Sequence, residues 1–189
     1  MIIGIAGTLG AGKGTVVKYL KTKGFAHYSS SDTLRSILAE QGLPIDREHM
    51  SNLANQLSNQ QTGGVLQNSY KLSQEAGHND CVLEALHRVS EGEYINSIDG
   101  VILGVDASIE TRYERISQRG DDAKDSVTFE QFVIDSQRED EGKTGSGPNI
   151  KAVIGMADHT IMNDGTIEEL HKKVEKWLRT IPHVITYHI

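Results

Sequence analysis

The stretch Met1-Ile2-Ile3-Gly4-Ile5-Ala6-Gly7-Thr8-Leu9-Gly10-Ala11-Gly12-Lys13-Gly14-Thr15 decides how the rest of the chain is read. Its first part is a short apolar run with strand character and its second a glycine-rich turn. Behind them Val16, Val17 and Leu20 recur at helical spacing up to Gly24. Strand, glycine turn and helix in that order make a phosphate-binding P-loop. Glycines let the backbone curl until successive N–H groups converge on one anion, and the N-terminus of the following helix adds positive potential. Gly7, Gly10, Ala11, Gly12, Lys13, Gly14 and Thr15 are therefore expected to cradle the phosphates of ATP, with the Lys13 ammonium reaching the β- and γ-phosphates. Gly14 occupies the place where other such loops carry Ser or Thr, so Thr15 is the hydroxyl expected on Mg2+.

Composition narrows what surrounds this loop. A chain of 189 residues suits one α/β domain with a modest insertion. A formal charge of −7 argues against a general nucleic-acid or anionic-membrane surface, while leaving room for a local basic pocket. The lone Cys81 excludes an intrachain disulfide and, inside Asp80-Cys81-Val82-Leu83, reads as a buried strand thiol. No apolar run approaches membrane-spanning length, and no leader is expected before a strand that starts at residue 1, so the expectation is a cytoplasmic protein. The eight histidines show no i, i+4 pair and no cysteine at zinc spacing.

Downstream, further strands are expected at 25–28, 81–86, 101–106 and 157–163, alternating with helical patterns. Ser29 to Asp32 supplies N-cap residues for a helix through Leu34, Ile37 and Leu38. Asp46 caps a polar helix, and Gly63-Gly64 opens another. Ser108 to Gln118 reads as a helix with Ile109, Tyr113 and Ile116 inward and Arg112, Arg115 and Arg119 elsewhere on it. Thr128 with Gln131, and Thr166 with Glu169, are spaced as capping boxes. This alternation predicts an α/β fold: a P-loop NTPase three-layer sandwich whose sheet of about five parallel strands has helices on both faces. A single domain spans 1–181. Residues 42–77 form a helical acceptor-binding insertion, 120–148 a lid with its glycine-rich run at 142–148, and 182–189 a tail suited at most to a dimer contact, so a monomer or homodimer is expected.

The polar residues around the loop suggest phosphoryl-transfer chemistry, which requires positioning, charge neutralisation and exclusion of water. Asp32 is placed to take a proton from an acceptor hydroxyl or to orient water on Mg2+; its alternative is simply to cap a helix. Arg35 and Arg47 are candidates for an acceptor phosphate, with solvated surface arginines as the alternative. Arg119 and Arg138 flank the lid and can meet the transferring phosphate or pair with Asp121, Asp122, Glu139 or Asp140. Asp106 ends one buried strand and Glu84 lies near the end of another, and either can be the acidic residue near Mg2+.

Three stretches resemble the P-loop nucleoside-monophosphate kinase group, in its dephospho-CoA-kinase-like and adenylate-kinase-like branch: Gly12-Lys13-Gly14-Thr15, Ser31-Asp32-Thr33-Leu34-Arg35, and Ala157-Asp158-His159-Thr160-Ile161-Met162-Asn163-Asp164-Gly165-Thr166. The segments Arg119-Gly120-Asp121-Asp122 and Gln137-Arg138-Glu139-Asp140 are similar to an archaeal set of such proteins, and the resemblance covers roughly residues 1–178. It implies an ATP–Mg2+-dependent kinase acting on a small-molecule nucleotide acceptor, with Asn163 near the adenine and Glu84 as the acidic residue nearer the site. Many relatives read Asp-Gly-Ile-Arg where this chain has Glu84-Ala85-Leu86-His87, so His87 or Arg88 stands in for an acceptor-phosphate arginine. Ser58 replaces another. Dephospho-CoA kinase, with Asp32 as base on a ribose hydroxyl, is the rival activity; an ATP-binding switch without efficient transfer is the rival of another class.

Overall fold

The computed structural model describes residues 1–119, 127–141 and 148–181, and the side chains of 139–141 are left aside. Its five strands are β1 (Ile2–Gly7), β2 (Ala26–Ser29), β3 (Cys81–Leu86), β4 (Val101–Asp106) and β5 (His159–Met162). They form one sheet in the order β2-β3-β1-β4-β5, and every pairing is parallel. The strand that feeds the glycine loop is thus the central one, with the ends of β3 and β4 on either side of it. Ligands of open parallel sheets bind outside the carboxyl ends of such strands.

Helices cover both faces, which is why the strands are continuous apolar runs and not alternating ones. Helix α1 (Lys13–Thr22) and α9 (Ile167–Leu178) pack on Ile3, Ile5, Val82, Leu103 and Val105 through Val16, Val17, Leu20, Leu170, Val174 and Trp177. On the opposite face α4 (Gly64–Glu75), α5 (Val89–Ser97) and the short α8 (Ile150–Gly155) send Leu66, Ile95 and Val153 against Cys81, Leu83, Leu86 and Ile102. Truncating one of these fully buried side chains to alanine typically costs about 2–5 kcal/mol. A third cluster, Leu34, Leu38, Leu53 and Val65, ties α2 (Ser30–Glu40) and α3 (Arg47–Gln60) to α4, so the expected insertion at 42–77 shares its core with α2. Helices α6 (Ile109–Arg119) and α7 (Phe129–Glu141) complete the described chain.

Local signals explain most boundaries. Asp46 accepts from the His49 amide at 2.9 Å, and Thr166 and Glu169 bond reciprocally at 3.2 and 3.0 Å. The box expected at Thr128 is half made: Thr128 accepts from the Gln131 amide at 3.3 Å, while the Gln131 side chain turns to Asp135 at 3.0 Å, one helical turn on. The second strand runs to Ser29, one residue past the expected end, and the last is confined to His159–Met162. Helix α6 departs from the reading of its inward face. Arg112 and Ile116 are its buried residues, because α6 lies against the loop and α7 and not only on apolar neighbours. Cys81 is a buried free thiol, its pKa raised by burial. The lid expectation reaches the described chain as α7; its stretches 120–126 and 142–147, and the tail 182–189, lie outside the described residues.

Candidate active site

The loop between β1 and α1 is held from three sides. The Lys13 ammonium donates to the carbonyls of Gly7 and Thr8, both at 2.9 Å, which keeps its charge at the mouth of the loop. Thr8 donates to Asp106 at 2.6 Å, and the same carboxylate oxygen accepts the Ala107 amide at 2.9 Å. Asp106 therefore braces the loop from the end of β4. From the far side the buried Asn163 donates through Nδ2 to the Ala11 carbonyl at 2.8 Å.

Two glycines are required by this packing. Gly12 caps α1 at φ 99°, and a Cβ there would stand 2.5 Å from Asn163 Nδ2. Gly10 has φ 82°, and its Cβ would meet the Arg112 carbonyl oxygen at 2.7 Å. Left-handed backbone and close approach together leave no room for a side chain at either position. Gly14, by contrast, has open space where its Cβ would be.

A cavity of about 680 Å³ opens beside the loop. It brings together Gly10, Gly12, Lys13, Gly14, Thr15, Glu84, Arg119 and Asn163 from the expected site, and adds Lys18, Arg115 and Ile167. Ala11, at the base of the loop, is fully buried. Of the two acidic candidates, Glu84 is the one that lines this cavity, on the same face of β3 as Val82 and so on the α1 side of the sheet. A hydroxyl at Thr15 and a carboxylate at Glu84 are hard oxygen donors. One or two protein groups of that kind, completed by phosphate oxygens, suit Mg2+.

A second cavity of about 270 Å³ is lined by Leu9, Arg47, Val127, Phe132, Asp135, Ser136 and Arg138. Leu9 lines both cavities, so both border the glycine loop at that residue. Arg47 from the insertion and Arg138 from α7 are thereby brought to one place, Arg138 standing 3.7 Å from Asp135 on its own helix.

The remaining candidates sit elsewhere. Asp32 and Arg35 form an ion pair at 2.9 Å on the exposed side of α2, and neither lines either of these two cavities. Arg88 donates to Asn55 of α3 at 2.7 Å, and the His87 carbonyl accepts the Asn149 amide at 2.8 Å, so both serve as ties between elements. Ser58 bonds back to the Ala54 carbonyl at 2.8 Å within α3. Beneath this junction the buried Glu91 accepts the amides of His87 and Arg88 at 2.7 and 3.1 Å; burial pushes its pKa up, partly opposed by those two bonds.

Sequence reasoning passed over Arg112 and Arg115. Arg112 is 6 % exposed, its guanidinium 5.8 Å from the Phe132 ring, and its Nε has no hydrogen-bond partner among the described residues. Arg115 lines the larger cavity and bonds the Gly165 carbonyl at 3.4 Å, with Nη1 buried and unpartnered among the described residues. The signal was in the spacing: 112, 115 and 119 repeat at three and four residues and share one helix face.

Residues 3–142 match the family model described as AAA domain. The UPF0200 protein of Sulfurisphaera tokodaii is 30% identical over 182 residues, an alignment that takes in 95% of this chain and 97% of that one. The chain belongs to the AAA domain family and to the UPF0200 proteins. In fold, this AAA-domain chain is similar to shikimate kinase from Acinetobacter baumannii in complex with shikimate, with TM-score 0.61 at 17% identity, covering 96% of this chain and 94% of that one. It is also similar to dephospho-CoA kinase from Campylobacter jejuni, with TM-score 0.53 at 17% identity, covering 95% and 96%. The architecture is that of the P-loop kinases, as the order of strands and helices predicted.

Proposed function

We propose that this protein is an ATP–Mg2+-dependent phosphotransferase that moves the γ-phosphate to a small-molecule acceptor, of which a nucleoside monophosphate or related nucleotide is the favoured class. The observation that carries the reading is a pair of cavities that share Leu9 in their walls: one lined by Lys13, Thr15 and the loop glycines, the other by Arg47 and Arg138. A donor in the one and an acceptor in the other would be neighbours at Leu9, the proximity that in-line displacement requires.

In the reaction an acceptor oxygen forms a bond to the γ-phosphorus while the bond to the β,γ-bridging oxygen breaks, leaving ADP. Lys13 and the loop amides offset charge on the β- and γ-oxygens, and Arg119 is placed to do so from α6. Thr15 and Glu84 are the residues suited to hold Mg2+, which when bound neutralises phosphate charge. A phosphate acceptor is already ionised and needs no base. That agrees with the exposed Asp32 being paired to Arg35, away from both cavities. A hydroxyl acceptor, as in the dephospho-CoA kinase reading, would need Asp32 to part from Arg35 and reach the loop.

ADP formation from Mg–ATP across ribo- and deoxynucleoside monophosphates, dephospho-CoA and shikimate, with Lys13→Ala as the blank, tests the proposal. One nucleoside monophosphate should stimulate turnover well above the blank. Stimulation by dephospho-CoA or shikimate would overturn the acceptor class, and tight ATP binding without any stimulated turnover would favour the switch.

A further inference from the structure

Glu84 is not left to find its own orientation. Its Oε2 lies 3.1 Å from Nε2 of His27 on the neighbouring strand β2, with the two side chains 20 % and 22 % exposed. An ionised carboxylate only accepts, so the ring presents Nε2–H to it. Register explains the contact: His27 lies beside Val82 and Ser29 beside Glu84, so His27 and Glu84 are diagonal neighbours on one face of a parallel pair. That face is the α1 side, where Val82 packs with Val16, Val17 and Leu20. Among the described residues Oε1 of Glu84 takes no hydrogen bond, while the side chain lines the cavity that also holds Lys13 and Thr15. One oxygen is anchored to the sheet and the other is left for a ligand.

The contact is not what joins the two strands, which already pair along their backbones from Ala26 to Ser29. Its value is geometric. A glutamate has three side-chain torsions, and a carboxylate that swings freely loses much of its worth as a cation ligand. We propose that His27 is a positioning residue: by holding Oε2 of Glu84 it presents Oε1 to the divalent cation that accompanies the nucleotide. The inference rests on the phosphotransferase reading of the larger cavity, and it extends that site beyond the loop to the adjacent strand β2.

The test is binding and needs no turnover. Affinity for a non-hydrolysable ATP analogue is measured by calorimetry with EDTA and with Mg2+, and Mn2+ binding to the analogue complex by electron paramagnetic resonance. Wild type, His27→Ala, His27→Gln and Glu84→Ala are compared. Outer partners of metal ligands typically govern about 10–100-fold in metal affinity. His27→Ala should weaken Mn2+ binding by at least about tenfold, Glu84→Ala by as much or more, and His27→Gln should recover part of the loss through its amide N–H. Analogue affinity in EDTA should match wild type in both His27 variants, a pattern that loosened packing would not produce. Wild-type Mn2+ affinity in His27→Ala, or in Glu84→Ala, overturns the proposal while leaving the phosphate site standing. Failure of the wild-type chain to bind the analogue at all overturns the phosphotransferase reading, and the proposal with it.

Discussion

The two sides of the glycine loop are built differently. On the side of the larger cavity the loop is braced by close neighbours: loop carbonyls under Lys13, Asn163 on the Ala11 carbonyl, Asp106 on Thr8, and the backbone of Arg112 against Gly10. On the side of the smaller cavity its surroundings are side chains carried by α3 and α7, with Arg47 and Arg138 as the cations and Asp135 beside Arg138. A triphosphate presents the same charges to every P-loop, so a fixed cradle serves it. An acceptor varies, and side chains on insertions can vary with it without disturbing the sheet.

The sharpest break in this contrast is a pair of glycine substitutions. Gly12→Ala forces a left-handed residue onto Asn163, costing about 1–3 kcal/mol and lowering nucleotide affinity by about 10–100-fold. Gly14→Ala, two residues on, meets nothing and gains helix propensity of up to about 1 kcal/mol, so affinity should match wild type. Calorimetric titration with Mg–ATP of both variants reads this directly; equal losses would mean that the cradle is not rigid.

On the other side, Arg47→Ala and Arg138→Ala should each raise the acceptor KM by about three- to tenfold, the worth of a partly solvated charge-assisted hydrogen bond, and leave the ATP KM unchanged. A rise in the ATP KM instead would mean that the smaller cavity belongs to the donor.

The smallest effect concerns the tie between the sides. Glu91 is held by burial above the ordinary glutamate pKa, so the folded state binds its proton more tightly than the unfolded state does. Stability should therefore fall as pH rises from the ordinary glutamate range to the raised value. Thermal midpoints across that window should show the slope in wild type and lose it in Glu91→Gln, whose amide oxygen still accepts from the His87 and Arg88 amides.

What the sequence made legible follows the same division. The loop was readable because its requirements are local: glycine where φ is positive, a strand before, a helix after. The strand count, the helices at 47–60 and 64–75 and the box at Thr166 were readable for the same reason, as periodicity and capping are properties of neighbouring residues. Arg112 was misread because the face of α6 looked amphipathic in the ordinary way, and only the packing of that helix against Gly10 and Phe132 makes an arginine its buried residue. His27 was read only as part of a strand, since its partner Glu84 is 57 residues away and is brought to it by the β2–β3 register. The pairing of Asp32 with Arg35 was legible at three-residue spacing, though Asp32 was read for proton or Mg2+ chemistry and Arg35 for an acceptor phosphate.

The most direct test follows the γ-phosphorus itself. ATP labelled at that position is incubated with Mg2+, the protein and the nucleoside monophosphate panel, and the products are separated. The account predicts label in the corresponding diphosphate, formed only when acceptor is present and lost in Lys13→Ala. Label appearing solely as inorganic phosphate, at a rate indifferent to every acceptor, would contradict it.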